Sequence, residues 1–544
     1  MRNTFVKTLM GYALALLVAL AMALELSTVS GVGKALADDA GDNQLAVGGT
    51  TLVNAAAVEE YPLWIGGAQV TSENPRGQGW SFEPATDDSP ATLTLNGYSY
   101  TGPGHQQVSI DDESDDGSEE ESESDSPEYR HSPVFWNEKS MLVINVVGEN
   151  TVKVTELTDA DNDSEYHYYY GIYSAGDLTF TGSGSLVSDA SGFEDGEAGV
   201  CAEGGLSIEN EGGSITAIGF VSGIESSSGS FIIAENAGTI TAEGAGGNDS
   251  LYGIEADGDL RIDGGVLTAK GYRGITAYGD IVVNGGEILA QSTVPESYGL
   301  SIINPCAMTS ERGTLTINGG SVTAKGHSYG IFSEQVNRNN DDEDDDEDDA
   351  DDVGYADDAD DEQGEADERP LVDGIIINGG RVVAEAKATQ GSGIGVCDTI
   401  MTVTGGSVQA TGNGDEAYGT STLDTVGNTR RGLIVIKEGT TSFVASGASG
   451  AVNESAIVKN EIAGTGWTNV EGTEGRAAIE PNADGQLLNA YKKVQFPTAS
   501  TKATKSATAK TGDFPMSSVV FASALAAAAA AMLALAVRRR SARD

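Results

Sequence analysis

A six-residue phrase returns through the middle of this chain. It reads Gly212-Gly213-Ser-Ile-Thr-Ala217, then Gly264-Gly265-Val-Leu-Thr-Ala269, Gly285-Gly286-Glu-Ile-Leu-Ala290 and Gly319-Gly320-Ser-Val-Thr-Ala324. Further copies are Gly379-Gly380-Arg-Val-Val-Ala384 and Gly405-Gly406-Ser-Val-Gln-Ala410, with Ala237-Gly238-Thr-Ile-Thr-Ala242 as a variant. A second element precedes most copies, at Gly253-Ile254, Gly274-Ile275, Gly299-Leu300 and Gly330-Ile331, and segments such as Asp280 to Asn284 and Thr314 to Asn318 lie between. The shortest spacing is 285 − 264 = 21 residues, and others reach the mid-twenties, as in 405 − 379 = 26. Each unit therefore offers three short strands of alternating apolar residues, separated by Gly or Gly-Asp turns. Strands this short cannot bury themselves, but stacking unit on unit pairs their edges and lines up Ile, Val, Leu and Ala inside. The pattern predicts an all-β fold, a right-handed parallel β-helix with glycines at positive-φ corners. A β-sandwich would not repeat the same corner at so regular a period.

One spacing breaks the rule. Gly319 to Gly379 is 60 residues, and 60 − 26 = 34 are in excess of one unit. The excess is visible as the Asp/Glu block within Asp341 to Glu368, and Asp111 to Glu128 is a second such block. Like-charge runs cannot pack, so both are expected to leave the stack as solvated loops. Low-affinity capture of calcium is the alternative, although no Asp-x-Asp-x-Asp-Gly loop with a closing Glu is present; no other cofactor is expected. The whole chain carries 83 acidic and 30 basic residues, a formal net charge of −53. Such a field repels polyanions and argues against a nucleic-acid partner.

The cysteines are Cys201, Cys306 and Cys397, an odd count that does not make a disulfide framework. Cys201 and Cys397 lie about six repeats apart, or roughly 29 Å at roughly 4.8 Å per strand spacing. That far exceeds the roughly 7 Å limit between bridged Cα atoms, so buried reduced thiols are expected.

The two ends bear on destination. Arg2 and Lys7 precede an apolar run from Leu9 to Leu24, and Ala35-Leu36-Ala37 follows before Asp38. This reads as a secretory signal peptide cleaved after Ala37; a retained anchor helix is the alternative. Phe514 to Val537 is apolar and nearly charge-free, and Arg538, Arg539, Arg540 and Arg543 follow. A run of this length spans a bilayer, with the arginines inside and the preceding chain outside. Just before it, Thr508-Ala509-Lys510-Thr511-Gly512-Asp513 resembles a Gram-positive sortase sorting signal, Leu-Pro-x-Thr-Gly followed by an apolar span and a basic tail. The Lys510-Thr511-Gly512 part is kept, while Thr508 and Ala509 replace Leu and Pro. The resemblance implies cleavage between Thr511 and Gly512 and linkage to peptidoglycan; membrane anchoring by the span itself is the alternative. Either way the expected location is the cell surface of a Gram-positive bacterium.

Between these ends, Tyr61 to Thr71, Gly79 to Phe82 and Thr92 to Gly97 read as strands with Trp64 and Trp80 placed to cover the first coil. Trp467 and Ala490 to Phe496 read as the closing cap. The expected organisation is signal peptide 1–37, linker 38–60, N-terminal cap 61–110, acidic loop 111–128, β-helix 129–466 with an insertion at 338–370, C-terminal cap 467–497, stalk 498–513, span 514–537 and basic tail 538–544. The opening strands, the Gly-Gly-x-x-x-Ala coils and the close Tyr491-Lys-Lys-Val-Gln-Phe496 together resemble bacterial cell-surface carbohydrate-binding domain-containing β-helix proteins. Their better understood relatives are clostridial pectin-binding modules. The resemblance spans Tyr61 to Pro497 and implies a surface protein whose partner is a polysaccharide or a host or neighbour glycan.

Parallel β-helices also carry polysaccharide lyases and hydrolases. A lyase needs a basic residue beside calcium carboxylates, but Arg261, Lys270, Arg273, Lys325, Arg381 and Lys387 are scattered. A glycosidase needs two carboxylates about 5–10 Å apart, and Asp257, Asp259, Asp263 and Asp280 are candidates. Gly-Asp recurs at Asp177, Asp259 and Asp280, which marks a turn residue; a catalyst is needed once. No catalytic residue is assigned. His105, His131, His167 and His327 lack metal-ligand spacing and are expected on loops or the surface. The aromatic pattern is more informative. Tyr170, Tyr252, Tyr298, Tyr329 and Tyr418 each immediately precede the Gly of the Gly-Ile element, and Tyr272 sits one residue earlier. In register they predict a partial ladder along one face, suited to stacking against sugar rings. A purely structural stack is the alternative reading. The expected function is non-catalytic glycan contact along a rigid rod, adhesin-like, ahead of a structural or host-interaction role without a defined glycan and ahead of a carbohydrate-active enzyme.

Overall fold

The computed structural model describes residues 58–109, 128–155, 166–192, 196–246, 252–294, 305–334, 370–422 and 430–498. The expected signal peptide with Ala37, the span, Thr511 and Gly512, Tyr298 and both acidic blocks, save Glu128, lie outside the described residues. Among the described residues every regular element is a β-strand, and no helix is long and apolar enough to cross a membrane.

Three long sheets carry thirteen, fifteen and fourteen of the described strands. The repeat explains how they form. Tyr252–Ala256 lies in the first sheet, Leu260–Ile262 in the second and Val266–Gly271 in the third, after which Arg273–Ala277 returns to the first. That returning strand pairs in parallel with its predecessor, Ile254 against Ile275 and Ala256 against Ala277, a shift equal to the 21-residue period. Each unit thus adds one strand to each sheet. Register aligns identical positions into columns. In the third sheet Ile240, Leu267, Ile288, Val322, Val382 and Val408 succeed one another, and so do Ala242, Ala269, Ala290, Ala324, Ala384 and Ala410. All twelve are buried. This continuous apolar interior is the main stabilising element, because no unit buries its own strands alone.

Two glycine positions have distinct causes. The second glycine of the phrase turns the corner with φ of 78°, 87°, 74°, 72° and 68° at Gly265, Gly286, Gly320, Gly380 and Gly406. The glycine of Gly-Ile sits where the third sheet turns into the first. A Cβ there would fall 2.4 Å from the Lys270 nitrogen at Gly253 and 2.3 Å from the Thr411 nitrogen at Gly393.

The turn polar groups tie successive units together. Asp177 accepts from the Gly205 amide at 2.8 Å, Asp259 from the Asp280 amide at 2.8 Å and Asp280 from the Thr314 amide at 2.7 Å. The recurring Gly-Asp is therefore a turn residue, as its recurrence predicts. At another corner Asn284 donates to Asp263, Asn318 to Asn284, Asn378 to Asn318 and Thr404 to Asn378, at 2.7–2.9 Å.

The 60-residue spacing leaves the stack unbroken. Leu315 pairs with Ile375 and Ser321 with Arg381, so the units flanking the insertion are direct neighbours. The excess chain leaves between Tyr329–Glu334 and Val372–Ile377. All three cysteines are buried and none forms a disulfide, and Cys201 and Cys397 stand six strands apart in the first sheet, as expected. At both ends the parallel pattern gives way to antiparallel pairs. Glu60–Ile65 lies against Val134–Trp136 and Trp80–Glu83 against Ala91–Asn96; Lys493–Phe496 lies against Ser442–Ser446 and Asn482–Gln486 against Ala456–Asn460.

Candidate ligand-binding groove

In the first sheet the Ile of Gly-Ile points inward, so the residue after it points outward. Register stacks these outward residues as Phe135, Tyr173, Cys201, Glu225, Glu255, Thr276, Thr309 and Phe332. This column lies outside the main interior, yet Phe135, Tyr173, Cys201 and Phe332 on it are buried in two smaller clusters. Two residues further on, just past the ends of these strands, stand Glu203, Ser227, Asp257, Tyr278 and Glu311.

Two open depressions lie on this face. The first, about 360 Å³, is lined by Arg130, Lys139, Tyr170, Tyr173, Glu203 and Glu225 among others. The second, about 640 Å³, is lined by Glu255, Asp257, Tyr278, Gly279 and Arg312. Glu225 and Glu255 are register partners on adjacent strands, which makes the two depressions neighbours.

The polar groups fall into two kinds. Some are locked in ion pairs: Arg130 Nη1 reaches Glu203 Oε1 at 2.5 Å and donates to the Tyr173 hydroxyl at 2.8 Å, while Tyr173 donates to the same Glu203 oxygen. Arg273 pairs with Glu311, and the Arg312 guanidinium lies 5.8 Å from the Tyr278 ring centroid. Burial, then the bond to Glu203, raises the Tyr173 hydroxyl far above the usual phenol range. The others are carboxylates whose hydrogen bonds come from hydroxyls. Glu225 accepts from Ser227 at 2.9 Å and Glu255 from Ser222 at 3.2 Å. Burial first, then repulsion from Glu225 and Asp257, pushes the Glu255 carboxyl up to about 8. Burial also raises Glu225 and Asp257, reinforced by Asp257 in the first case and Glu311 in the second.

The six tyrosines singled out by their place before Gly-Ile are divided by the structure. Tyr170 lines the first depression and sits 5.2 Å from Tyr173, ring to ring. Tyr252 and Tyr418 are half-buried. Tyr329 is 1% exposed, packed 4.6 Å from Phe332 in a closed cluster with Cys306 and Cys397. Tyr272 is 5% exposed and sits in the bend between Val266–Gly271 and Arg273–Ala277. The tyrosine column is interrupted, since Arg273 is the register partner of Tyr252 and Ser392 separates Tyr329 from Tyr418. Tyr173, Tyr278, Glu225 and Glu255 were missed. The signal for Tyr173, Glu225 and Glu255 was the residue directly after Gly-Ile; Tyr278 lies two positions beyond that place.

Of the candidate aspartates only Asp257 reaches this face. Asp259 and Asp280 are turn acceptors and Asp263 begins the asparagine chain. Arg261 pairs with Asp263 at 3.0 Å and Lys270 with Glu243 at 3.6 Å.

The histidines require a correction. They were expected on loops or the surface, yet His131 and His327 are 0% exposed. A three-stranded sheet of His105–Ser109, Glu128–Ser132 and Tyr166–Tyr169 gathers His105, His131 and His167. His131 Nε2 lies 2.9 Å from His167 Nδ1, and Trp64 stacks on His105 at 4.2 Å. Burial, then His167 and His105, lowers His131 to about 4. Long connections separate these residues in sequence, so spacing could not reveal the cluster. Among the described residues no group of three or more His, Cys, Asp or Glu is arranged to hold a metal ion.

A family model described as carbohydrate-binding domain-containing protein matches residues 128–341, the stretch that contains both depressions. No curated protein and no solved structure matches the chain.

Proposed function

We propose that this chain is a non-catalytic carbohydrate-binding protein whose repeats wind as a rigid right-handed parallel β-solenoid, and that sugar is bound in the groove on the outer face of the first sheet. One observation carries the reading. The stretch matched by the carbohydrate-binding family contains both depressions, whose linings bring tyrosine, arginine and carboxylate side chains together. Tyrosine presents a flat apolar face with a polar rim, and ion-paired Arg130 and Glu203 are held fixed to bond sugar hydroxyls. Weak contacts of this kind gain strength when many copies are tethered to one surface. The reading places the rod outside a Gram-positive cell, held by the 514–537 span or joined to peptidoglycan after Thr511, with the adhesin role that follows from display.

The test is a glycan array probed with the full chain and with Tyr278→Ala and Tyr252→Ala, with folding checked by circular dichroism. Binding weakened about tenfold or more by Tyr278→Ala is the expected result. Unchanged binding by both folded variants removes the groove from the reading.

A second reading has a specific observation behind it. Glu225 and Glu255 are neighbours whose surroundings favour protonation of Glu255, the kind of asymmetry glycosidases use. Release of reducing ends from neutral or acidic polysaccharides, abolished by Glu255→Gln, would establish the enzyme in place of the binding protein.

A further inference from the structure

Among the described residues, the three-stranded sheet of His105–Ser109, Glu128–Ser132 and Tyr166–Tyr169 stands apart from the long sheets, because none of its strands pairs with theirs. Its middle strand, Glu128–Ser132, has two faces. On one, His131 stacks on Tyr169 at 4.4 Å and bonds His167 at 2.9 Å, while Tyr129 stacks on His167 at 4.9 Å. Tyr169 packs there on Val154 and Ala190, so the surroundings are apolar. On the other face stands Arg130, which reaches across to Glu203 and Tyr173 in the first depression. His105 stacks on Trp64 and meets Phe135 edge-on at 5.1 Å, beside the cluster of Phe135, Tyr173 and Cys201. The guanidinium that lines the depression is therefore carried by the residue next to a fully buried histidine.

A neutral imidazole suits this place and a charged one does not. His131 Nδ1 and His105 Nε2 are buried without hydrogen-bond partners. A charged imidazole donates from both nitrogens, so each ring would leave an N–H buried without an acceptor. The ionisable groups acting on His131 are His167 and His105, from the strands on either side, and both would repel its charge. The acids near the sheet, Glu128, Glu197 and Glu203, act on Tyr168 and Arg130 of the opposite face. We propose that the sheet is an acid-sensitive clamp: neutral, it positions Arg130 in the first depression, and proton uptake opens it and withdraws Arg130 from Glu203 and Tyr173. The lowered His131 and His105 imidazoles support this. His131 takes a proton near 6.5 in an open chain and near 4 in the closed sheet. Between those values the open sheet holds a proton that the closed one lacks. Closure is therefore favoured fully above about 6.5, and the advantage is lost as pH falls towards about 4. That opening weakens sugar binding rests on the carbohydrate-binding reading; the opening itself does not.

The experiment is hydrogen exchange of the full chain at pH 7 and pH 5, read by peptide mass spectrometry as protection factors, with thiol labelling by 4,4′-dithiodipyridine in parallel. Protection of residues 128–132 and 166–169 is expected to fall about tenfold or more at pH 5, while the long sheets keep theirs. Cys201, 2% exposed beside Arg130 in the depression, should be labelled faster at pH 5, and Cys306 and Cys397 should not. Acid slows thiol chemistry, so a faster Cys201 runs against the chemical trend. His131→Phe keeps the ring on Tyr169 and His105→Phe keeps the ring on Trp64; each should shrink the change at pH 5, with folding checked by circular dichroism. Equal protection of the small sheet at both pH values overturns the proposal. Equal loss of protection in the long sheets overturns it in favour of general acid unfolding. A sheet that opens while Cys201 stays unlabelled overturns its link to the depression. A folded His131→Phe chain with an unchanged pH response overturns the histidine trigger. No readout involves a sugar, so these outcomes stand apart from those of the glycan array.

Discussion

Glu255 has two carboxylates for neighbours and one hydroxyl for support, which gives a stability consequence independent of any ligand. Its carboxyl titrates near 4.5 in a free chain and near 8 in the fold. Between those values the folded state holds a proton that the unfolded state has released. The folded state is therefore favoured most below about 4.5, and that advantage is lost as pH rises through about 8. Denaturation midpoints measured from pH 7 to pH 9 should fall, and Glu255→Gln should make the decline shallower; an identical slope for both would contradict this. Gly253 is the counterpart on the structural side. Its Cβ would meet the Lys270 nitrogen at 2.4 Å, so Gly253→Ala should destabilise by about 1–3 kcal/mol through overpacking, read in chemical denaturation. The sequence displayed this glycine plainly, because the same corner recurs in nearly every unit. It displayed the residue after Gly-Ile just as openly, but that column has no repeating identity to draw attention to it.

At the scale of the element, columns formed by register carry different weights. Leu267 stacks between Ile240 and Ile288 in the closed interior. Leu267→Ala should cost about 2–5 kcal/mol through lost transfer energy and the cavity left behind. The exposed asparagine chain looks similar on paper, yet each link exchanges a bond to water for a bond to protein. Asn318→Ala removes its bonds to Asn284 and Asn378 and should cost only about 1–2 kcal/mol. Comparing the two variants in one denaturation series separates interior packing from corner bonding; equal losses would show the corner to be worth far more than its exposure suggests. The interior was readable from alternation along each strand. The tyrosine column was readable only in part. Sequence placed Tyr252, Tyr329 and Tyr418 at equivalent positions, but Phe332 on the same strand and Cys306 and Cys397 on the two adjacent strands close over Tyr329, and the cysteines reach it only through strand pairing.

For the molecule as a whole, each unit meets mainly the units before and after it. Removing residues 392–417 brings Tyr418 into the place of Ser392, its register partner. The shortened chain should keep a strand-type circular dichroism spectrum and a single unfolding transition with a lower midpoint. A broad, non-cooperative melt would count against a continuous interior. The long acidic insertion is a natural version of the same tolerance, since Ser321 and Arg381 pair directly across it.

The amino-acid sequence by itself determined the all-β class, the three-strand unit, the 21-residue minimum period, the corner glycines and the turn aspartates. Each of these is a local demand met again in every unit, so a one-dimensional pattern records it. The tertiary structure alone decided that Glu225, Glu255 and Asp257 share one face, that Arg130 crosses to Glu203 and that three distant histidines meet. These juxtapositions lie across strands and occur once. A single occurrence leaves no period to read, and only the stacking of units brings such residues within range of one another.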